Sequence, residues 1–305
     1  MSNELWRGPI VDAHQHFWDP FANPHPWLRP EARIPFRYGD YGAIKRRYLP
    51  PDYEADAASH DIAETVYVET EWDPADPIGE TRYASSLAEP FGRPNAIVAQ
   101  AWLDRADAAE VLAAQAAFPL VRSIRHKPGG PDDPRAAGAP SLMSNDAWRR
   151  GYARLAAHGL HFDLQTPYWK LWEAEHLAAD FPATTIVLNH AGLPADRSTD
   201  GLQAWRTAMA RLARQPNVTV KISGLGQPGQ AWTVDANRWI VRETIAIFGP
   251  ERAMFGSNFP MDSLCASFDT IFSGFRQIVA DMPPAVQAQL FAGTARRIYR
   301  TCPGG

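Results

Sequence analysis

The sequence predicts an α/β fold, a (β/α)8 TIM barrel with a long loop after its first strand. Three observations carry this: eight short apolar, often β-branched segments, longer helix-patterned segments between most of them, and no glycine turn of the dinucleotide-binding kind. Repeated strand, crossover helix and strand requires parallel neighbours, and eight such units fit a closed barrel better than an open sheet.

In chain order, the first strand is expected at 9–14. Residues 17–56 follow, rich in Pro, Trp, Arg and Tyr. This piece is too long for a plain connection and is expected to wall the barrel mouth and help set substrate choice. Strands at 64–70, 95–101 and 120–125 come next, with a helix at 107–118 before the last of these. Helices at 145–158 and 170–181 flank a strand at 160–165, and strands at 185–190 and 218–223 flank a helix at 202–215. A helix at 235–248 precedes the eighth strand, 253–257. Beyond it Phe268, Ile271, Phe272, Phe275, Ile278, Val279 and Met282 recur at helical spacing as one core-facing stripe. Pro284 then opens a last helix running to Arg300, as proline in a first turn often does. Gly224, Gly226 and Gly229 follow the seventh strand at the wrong spacing for a Rossmann turn, and there is no P-loop. No repeat or low-complexity linker divides the chain, so 1–305 reads as one domain.

At 305 residues the chain is long enough for two ordinary domains or one barrel, and 45% hydrophobic with 21% charged residues is an ordinary globular balance. Eleven tryptophans imply a large core or an aromatic-lined cleft. A net charge of −4 provides no basic field for nucleic acid or an anionic membrane. Cys265 and Cys302 are too few for a disulfide framework and read as two buried thiols. No apolar run opens the chain, and none approaches the roughly 18 residues of a membrane span. The expectation is a soluble, cytoplasmic, reduced protein acting on a small molecule, with oligomeric state open and a homo-oligomer compatible.

Polar residues that end apolar strands lie where such barrels place their chemistry. The first strand ends Asp12-Ala13-His14-Gln15-His16. Strand alternation puts His14 and His16 on one side with Asp12 one step deeper. Two adjacent imidazoles can hold a divalent metal such as zinc, and a buried carboxylate can fix a tautomer. An ordinary hydrogen-bonded histidine pair is the competing reading. The sixth strand carries His190 to its lip as a third imidazole. Glu69 ends the second strand, and Asp163 and Gln165 end the fifth. Both acids either take part in the site or balance barrel arginines. Arg125 and Lys127 after the fourth strand and Lys221 on the seventh suit an anionic or hydroxyl-rich substrate, arginine gripping carboxylate by two parallel hydrogen bonds. Trp18, Trp72 and Tyr168 either pack on a substrate ring or form loop core.

Asp12-Ala13-His14-Gln15-His16-Phe17-Trp18, Leu188-Asn189-His190-Ala191-Gly192, Lys221-Ile222-Ser223-Gly224-Leu225 and Phe255-Gly256-Ser257-Asn258-Phe259-Pro260 together resemble the amidohydrolase superfamily. The nearest branch is that of the TIM-barrel lactonases, with 2-pyrone-4,6-dicarboxylate lactonase and the sugar-acid lactonases acting on fuconolactone and rhamnonolactone. The resemblance spans residues 10–300, and the order and spacing of the motifs are what is specific. It places the family's strand-one histidine pair on His14 and His16, its strand-six histidine on His190 and its strand-eight aspartate on Asn258. That aspartate usually ligates metal or takes a proton from the attacking water, and an amide has no such basicity near neutral pH. Asp262, four residues on, is the substitute carboxylate, or else a cap for the helix that follows. No lysine-plus-histidine set for a bridged two-metal centre is evident, and some members of the branch work without metal. The implied cofactor is therefore one divalent ion such as zinc on His14, His16 and His190, or none.

The resemblance implies hydrolysis of a small lactone. His14, His16 and His190 would stabilise the oxyanion or orient water, Asp262 would accept the proton, and Asn258 would position it. Arg125, Lys127, Lys221, Glu69 and Gln165 would hold substrate, with Trp18, Trp72 and Tyr168 against its ring. The alternatives are a metal-dependent decarboxylase or amide hydrolase of the same superfamily, and a catalytically silent sugar-acid-binding barrel.

Overall fold

All eight expected strands form. In a computed structural model that describes residues 5–130 and 133–301, they are β1 Ile10–Gln15, β2 Ile62–Val68, β3 Ala96–Gln100, β4 Val121–Arg125, β5 His161–Leu164, β6 Ile186–Leu188, β7 Val218–Ile222 and β8 Ala253–Phe255. Each pairs in parallel with the next, in chain order from β1 to β8. Because β8 is short, the last seam is closed just beyond it. Asn258 N donates to His14 O at 2.8 Å or less (2.7 Å), His16 N donates to Phe259 O (2.8 Å), and Gln15 bridges Phe259 in parallel. The result is a (β/α)8 barrel.

The helices are α1 Pro50–Asp56, α2 Gly79–Phe91, α3 Ala108–Ala116, α4 Asp146–Tyr152, α5 Leu171–Asp180, α6 Thr199–Leu212, α7 Val234–Phe248, α8 Phe268–Ile278, α9 Pro284–Ala288 and α10 Thr294–Tyr299. Every helix expected from apolar spacing is present. Those beyond the expectation are α1, inside the long loop, and α2, whose glycine start and internal Pro90 disguise its pattern. The last expected helix is interrupted by a π turn at Gln289–Gly293.

Two apolar layers hold the barrel. A large one packs strands against helices and includes Trp148, Trp205, Phe162 and the α8 stripe. A smaller one joins Val11, Ala13, Val66, Val68, Ala96, Val98, Val187 and Met254 to Ala292, Ala295, Ile298 and Tyr299 of the C-terminal helices.

Asp12 does not lie beneath the histidines as simple alternation predicts. Between Asp12 and Gln15 the first strand advances three residues while β2 advances two, from Thr65 to Tyr67, and this bulge breaks the period. Fully buried Asp12 instead accepts from Ser257 N (2.7 Å), Ser257 Oγ (2.6 Å) and Tyr53 OH (2.8 Å), tying β1 to α1 and to the segment after β8. Burial raises its pKa in spite of these donors. Cys265 is half-buried rather than buried, and Cys302 lies outside the described residues. No helix among the described residues is long and apolar enough to cross a membrane.

Ser257→Ala, which removes one donor to the buried Asp12 carboxylate, is expected to destabilise the fold by about 1–3 kcal/mol in denaturant titration.

Candidate active site

His14, His16 and His190 converge at the C-terminal ends of β1 and β6. The rings of His14 and His190 are 4.5 Å apart between centroids, and those of His14 and His16 are 5.1 Å apart. The approach depends on two glycines. A Cβ on Gly256 would meet His14 Cβ at 2.8 Å, and one on Gly224, where φ is +59°, would meet His190 Nδ1 at 2.5 Å. His190 itself has φ +55° and opens a short turn, His190–Gly192, whose other two residues are also left-handed.

All three imidazoles are held neutral. Burial, with the charges of Lys221 and Arg125 among the lesser causes, lowers the pKa of His14 well below its usual value. Burial, then Arg37 and Arg125, does the same for His190, and burial followed by Arg125 holds His16 down to about 3. His16 Nδ1 is 2.7 Å from Val68 O, and a carbonyl can only accept, so Nδ1 carries the proton and Nε2 a lone pair. Nε2 is 3.3 Å from Asn258 Oδ1, two acceptors face to face, which leaves Nε2 in need of a donor. His190 Nδ1 is bonded to Ser223 Oγ at 2.9 Å, and among the described residues both nitrogens of His14 are buried without a partner.

Asp262 enters the same mouth. It is 1% exposed on the short helix Met261–Leu264, so it does not cap α8, whose N-cap is Ser267. Its Oδ1 accepts from Asn258 Nδ2 (2.6 Å) and Tyr38 OH (2.7 Å). Burial raises its pKa, opposed by Arg37, Tyr38 and Asn258. Arg37 donates to Tyr38 OH and Gly224 O, with its guanidinium 4.4 Å from the centre of the Tyr38 ring. Arg37 and Tyr38 belong to the 17–56 loop. Sequence reasoning assigned that loop to the mouth without singling them out, because nothing in its spacing separates them from the other Arg and Tyr residues there.

Several expected contacts with substrate are engaged elsewhere. Lys221 does not face the cavity: fully buried, it is 2.7 Å from Asp163 Oδ1, and burial lowers its pKa to about 8. Asp163 also accepts from Tyr299 OH (2.9 Å) and Asn189 Nδ2 (2.8 Å). Glu69 forms an ion pair with Arg125, which orients the arginine, while Arg125 Nη1 donates to Gln165 Oε1 (3.1 Å). Lys127 Nζ is 2.8 Å from Glu71 Oε1. Trp18 is loop core, donating from Nε1 to Ile44 O (3.1 Å) and stacking behind His16 at 6.1 Å. Trp72 packs on His25, and Tyr168 lies on an outer groove beside Trp172.

A cavity of about 70 Å³ is lined by His16, His190, Arg37, Tyr38, Arg125 and Asn258, with Lys127 and Gln165 also on its wall. It is well below the roughly 300–1,000 Å³ of a typical small-molecule site. A second cleft of about 370 Å³ shares Arg37 and Tyr38 as a common wall and is also lined by Trp169 and Arg197.

The imidazoles are nitrogen donors of the right kind for zinc, and the partnerless His14 would suit a ligand. The rest of the set does not fit. Asn258 stands where the resemblance expects an acid, Lys221 and Arg125 bring positive charge close to His14, and among the described residues no three His, Cys, Asp or Glu side chains are arranged to share an ion.

The amidohydrolase family profile matches residues 11–301. An uncharacterised protein of Sinorhizobium fredii is 38% identical, covering 95% of this chain and 98% of its own. L-fucono-1,5-lactonase of Burkholderia multivorans is 30% identical, with 95% of each chain covered. An amidohydrolase of Burkholderia multivorans, solved with bound zinc, is similar at TM-score 0.81 and 26% identity over 96% of this chain and 99% of its own. With the match extending from β1 to the end of the last helix, the chain belongs to the amidohydrolase family.

Proposed function

We propose that this hydrolase opens a small lactone bearing carboxylate or hydroxyl groups, by attack of water on the ester carbonyl. The observation that carries the reading is Asp262: a buried carboxylate bonded through one oxygen to Asn258 and Tyr38, both of which line the cavity with His16, His190 and Arg125. The relatives named L-fucono-1,5-lactonase, at 30% and 28% identity, support the lactone as substrate class.

The lone pair on His16 Nε2 accepts one hydrogen of the attacking water. The second oxygen of Asp262 accepts the other as the water oxygen bonds to the carbonyl carbon. Charge moves to the carbonyl oxygen, where Arg125 and the neutral His190 ring are the available donors. Collapse of the tetrahedral intermediate breaks the ring C–O bond. Asp262 returns its proton to the leaving alkoxide, giving a hydroxy acid that ionises in solution. Asn258 and Tyr38 act by holding the carboxylate. Because no three His, Cys, Asp or Glu side chains among the described residues are arranged to share an ion, no step is routed through a metal.

Proton release across a lactone panel tests the reading. Rapid turnover of amides, or release of CO2 from carboxylic acids, with no lactone opened would replace it. Asp262→Asn is expected to cut kcat by about a hundredfold or more with the thermal midpoint retained. Near-normal turnover would remove the assignment. Chelated, zinc-depleted protein should keep its lactonase rate, and recovery only on adding zinc would establish a metal-dependent reaction.

The base works ionised, and its pKa is raised, so the rate is expected to fall with decreasing pH through a value above the usual carboxylate range of about 3.9. Tyr38→Phe removes a donor that lowers this pKa, so the acid limb of kcat/KM should move to higher pH. An unmoved limb would separate Tyr38 from the base.

A further inference from the structure

The 370 Å³ cleft beyond the Arg37 and Tyr38 wall has the size of a small-molecule site, whereas the 70 Å³ histidine cavity alone does not. Its walls combine two kinds of surface. Trp169, Pro167 and Pro228 supply flat apolar faces, and Arg37 and Arg197 supply two guanidinium groups. Among the described residues no Asp or Glu lines it. Asp196, next in sequence to Arg197, turns its carboxylate to Ser198 N at 2.9 Å.

Arg197 comes from the turn between β6 and α6. It donates to Leu225 O (3.0 Å) and Ala236 O (3.5 Å), its Nε is buried without a partner, and it makes no ion pair among the described residues. Burial, together with the like charge of Arg37, lowers its pKa to about 10, still fully cationic at neutral pH. The other cations of the mouth differ. Arg125 pairs with Glu69 and Lys127 with Glu71. Arg37 has the Asp262 carboxylate behind Tyr38 to balance it, so one positive charge, that of Arg197, is left over.

We infer that this cleft is a carboxylate subsite, in which Arg197 holds a monoanionic group carried on an apolar or ring scaffold whose ester carbonyl reaches the histidine cavity. The single surplus charge matches a carboxylate better than a dianionic phosphate, and the planar guanidinium matches its two oxygens. The apolar walls take the scaffold. The placement of the ester end rests on the proposed lactone hydrolysis, but binding of the anion does not.

Two measurements keep the two readings apart. Calorimetric titration of the full chain with benzoate and with benzamide probes the subsite without chemistry. Benzoate is expected to bind and benzamide to bind at least tenfold more weakly, with benzoate affinity reduced about tenfold or more in Arg197→Gln. Ala195→Glu, at an exposed position on the cleft wall, adds a carboxylate without removing a contact and should have the same effect if Arg197→Gln does not fold. In the second measurement, kcat/KM is compared for a carboxylate-bearing lactone and its methyl ester, and Arg197→Gln should lower the acid-to-ester ratio by about tenfold or more. Equal binding of benzoate and benzamide, or benzoate affinity indifferent to both variants, overturns the subsite even if lactones are opened. Arg197-dependent benzoate binding with no lactone turnover leaves the subsite standing and removes the hydrolytic reading.

Discussion

Charge pairing around the barrel mouth is the constraint on which the rest of the site depends. A buried ion without a partner is far more costly than a buried pair, and the buried acids here have been given a cation or a set of donors. Asp163 has Lys221 and Tyr299, Glu69 has Arg125, and Asp12 has Ser257 and Tyr53. The same arrangement decides the state of the histidines. With Arg125, Lys221 and Arg37 close by and, among the described residues, no acid bonded to the rings of His14, His16 or His190, protonating any of the three would add a positive charge to an already positive, dehydrated space. The histidines are therefore acceptors and neutral donors, which in the proposed reaction leaves the proton to Asp262.

Geometry at the rim is held by backbone that pays no regard to ordinary preferences. Among the described residues the non-glycine positions with positive φ are Glu71, His190, Ala191, Leu193, Asn258 and Arg300, and all but Arg300 follow directly on barrel strands β2, β6 and β8. Such conformations persist only where surrounding bonds over-determine them. Here those bonds are the β1 to β8 seam, the Ser223 contact of His190 and the amide of Asn258 on Asp262. The seam thus closes the barrel and aims the site with the same few residues.

The barrel was legible because period-2 and period-3.6 apolar patterns depend on local residues alone. The strand-end histidines were legible for the related reason that a barrel fixes which end of a strand meets substrate. What pattern could not reveal was which cation meets which acid. Lys221 reads as a substrate contact in sequence, yet Asp163 lies two strands away and claims it. Asp12 was misplaced because a bulge shifts the period by one residue, and a bulge leaves no apolar signature. Trp18 and Trp72 satisfy either reading of a buried aromatic until their neighbours are known. Arg37, Tyr38 and Arg197 are on irregular connections, where position in space is not encoded by spacing.

The departure at Asn258 makes physical sense once Asp262 is placed. An aspartate at 258 would set a second carboxylate at the 2.6 Å now spanned by an amide hydrogen bond, and two acids that close share one proton, with one pKa driven up and one down. The amide removes that conflict: it donates to Asp262, favouring its charged form. Asparagine also tolerates the φ of +58° that position 258 requires. With the acid one helical turn further along, Tyr38 of the long loop can reach it, as it does at 2.7 Å. With the carboxylate on the loop rather than at the strand end, Tyr38 joins Asp262 to the wall of the 370 Å³ cleft, so in the proposed reaction one loop would touch both the proton acceptor and the rest of the substrate.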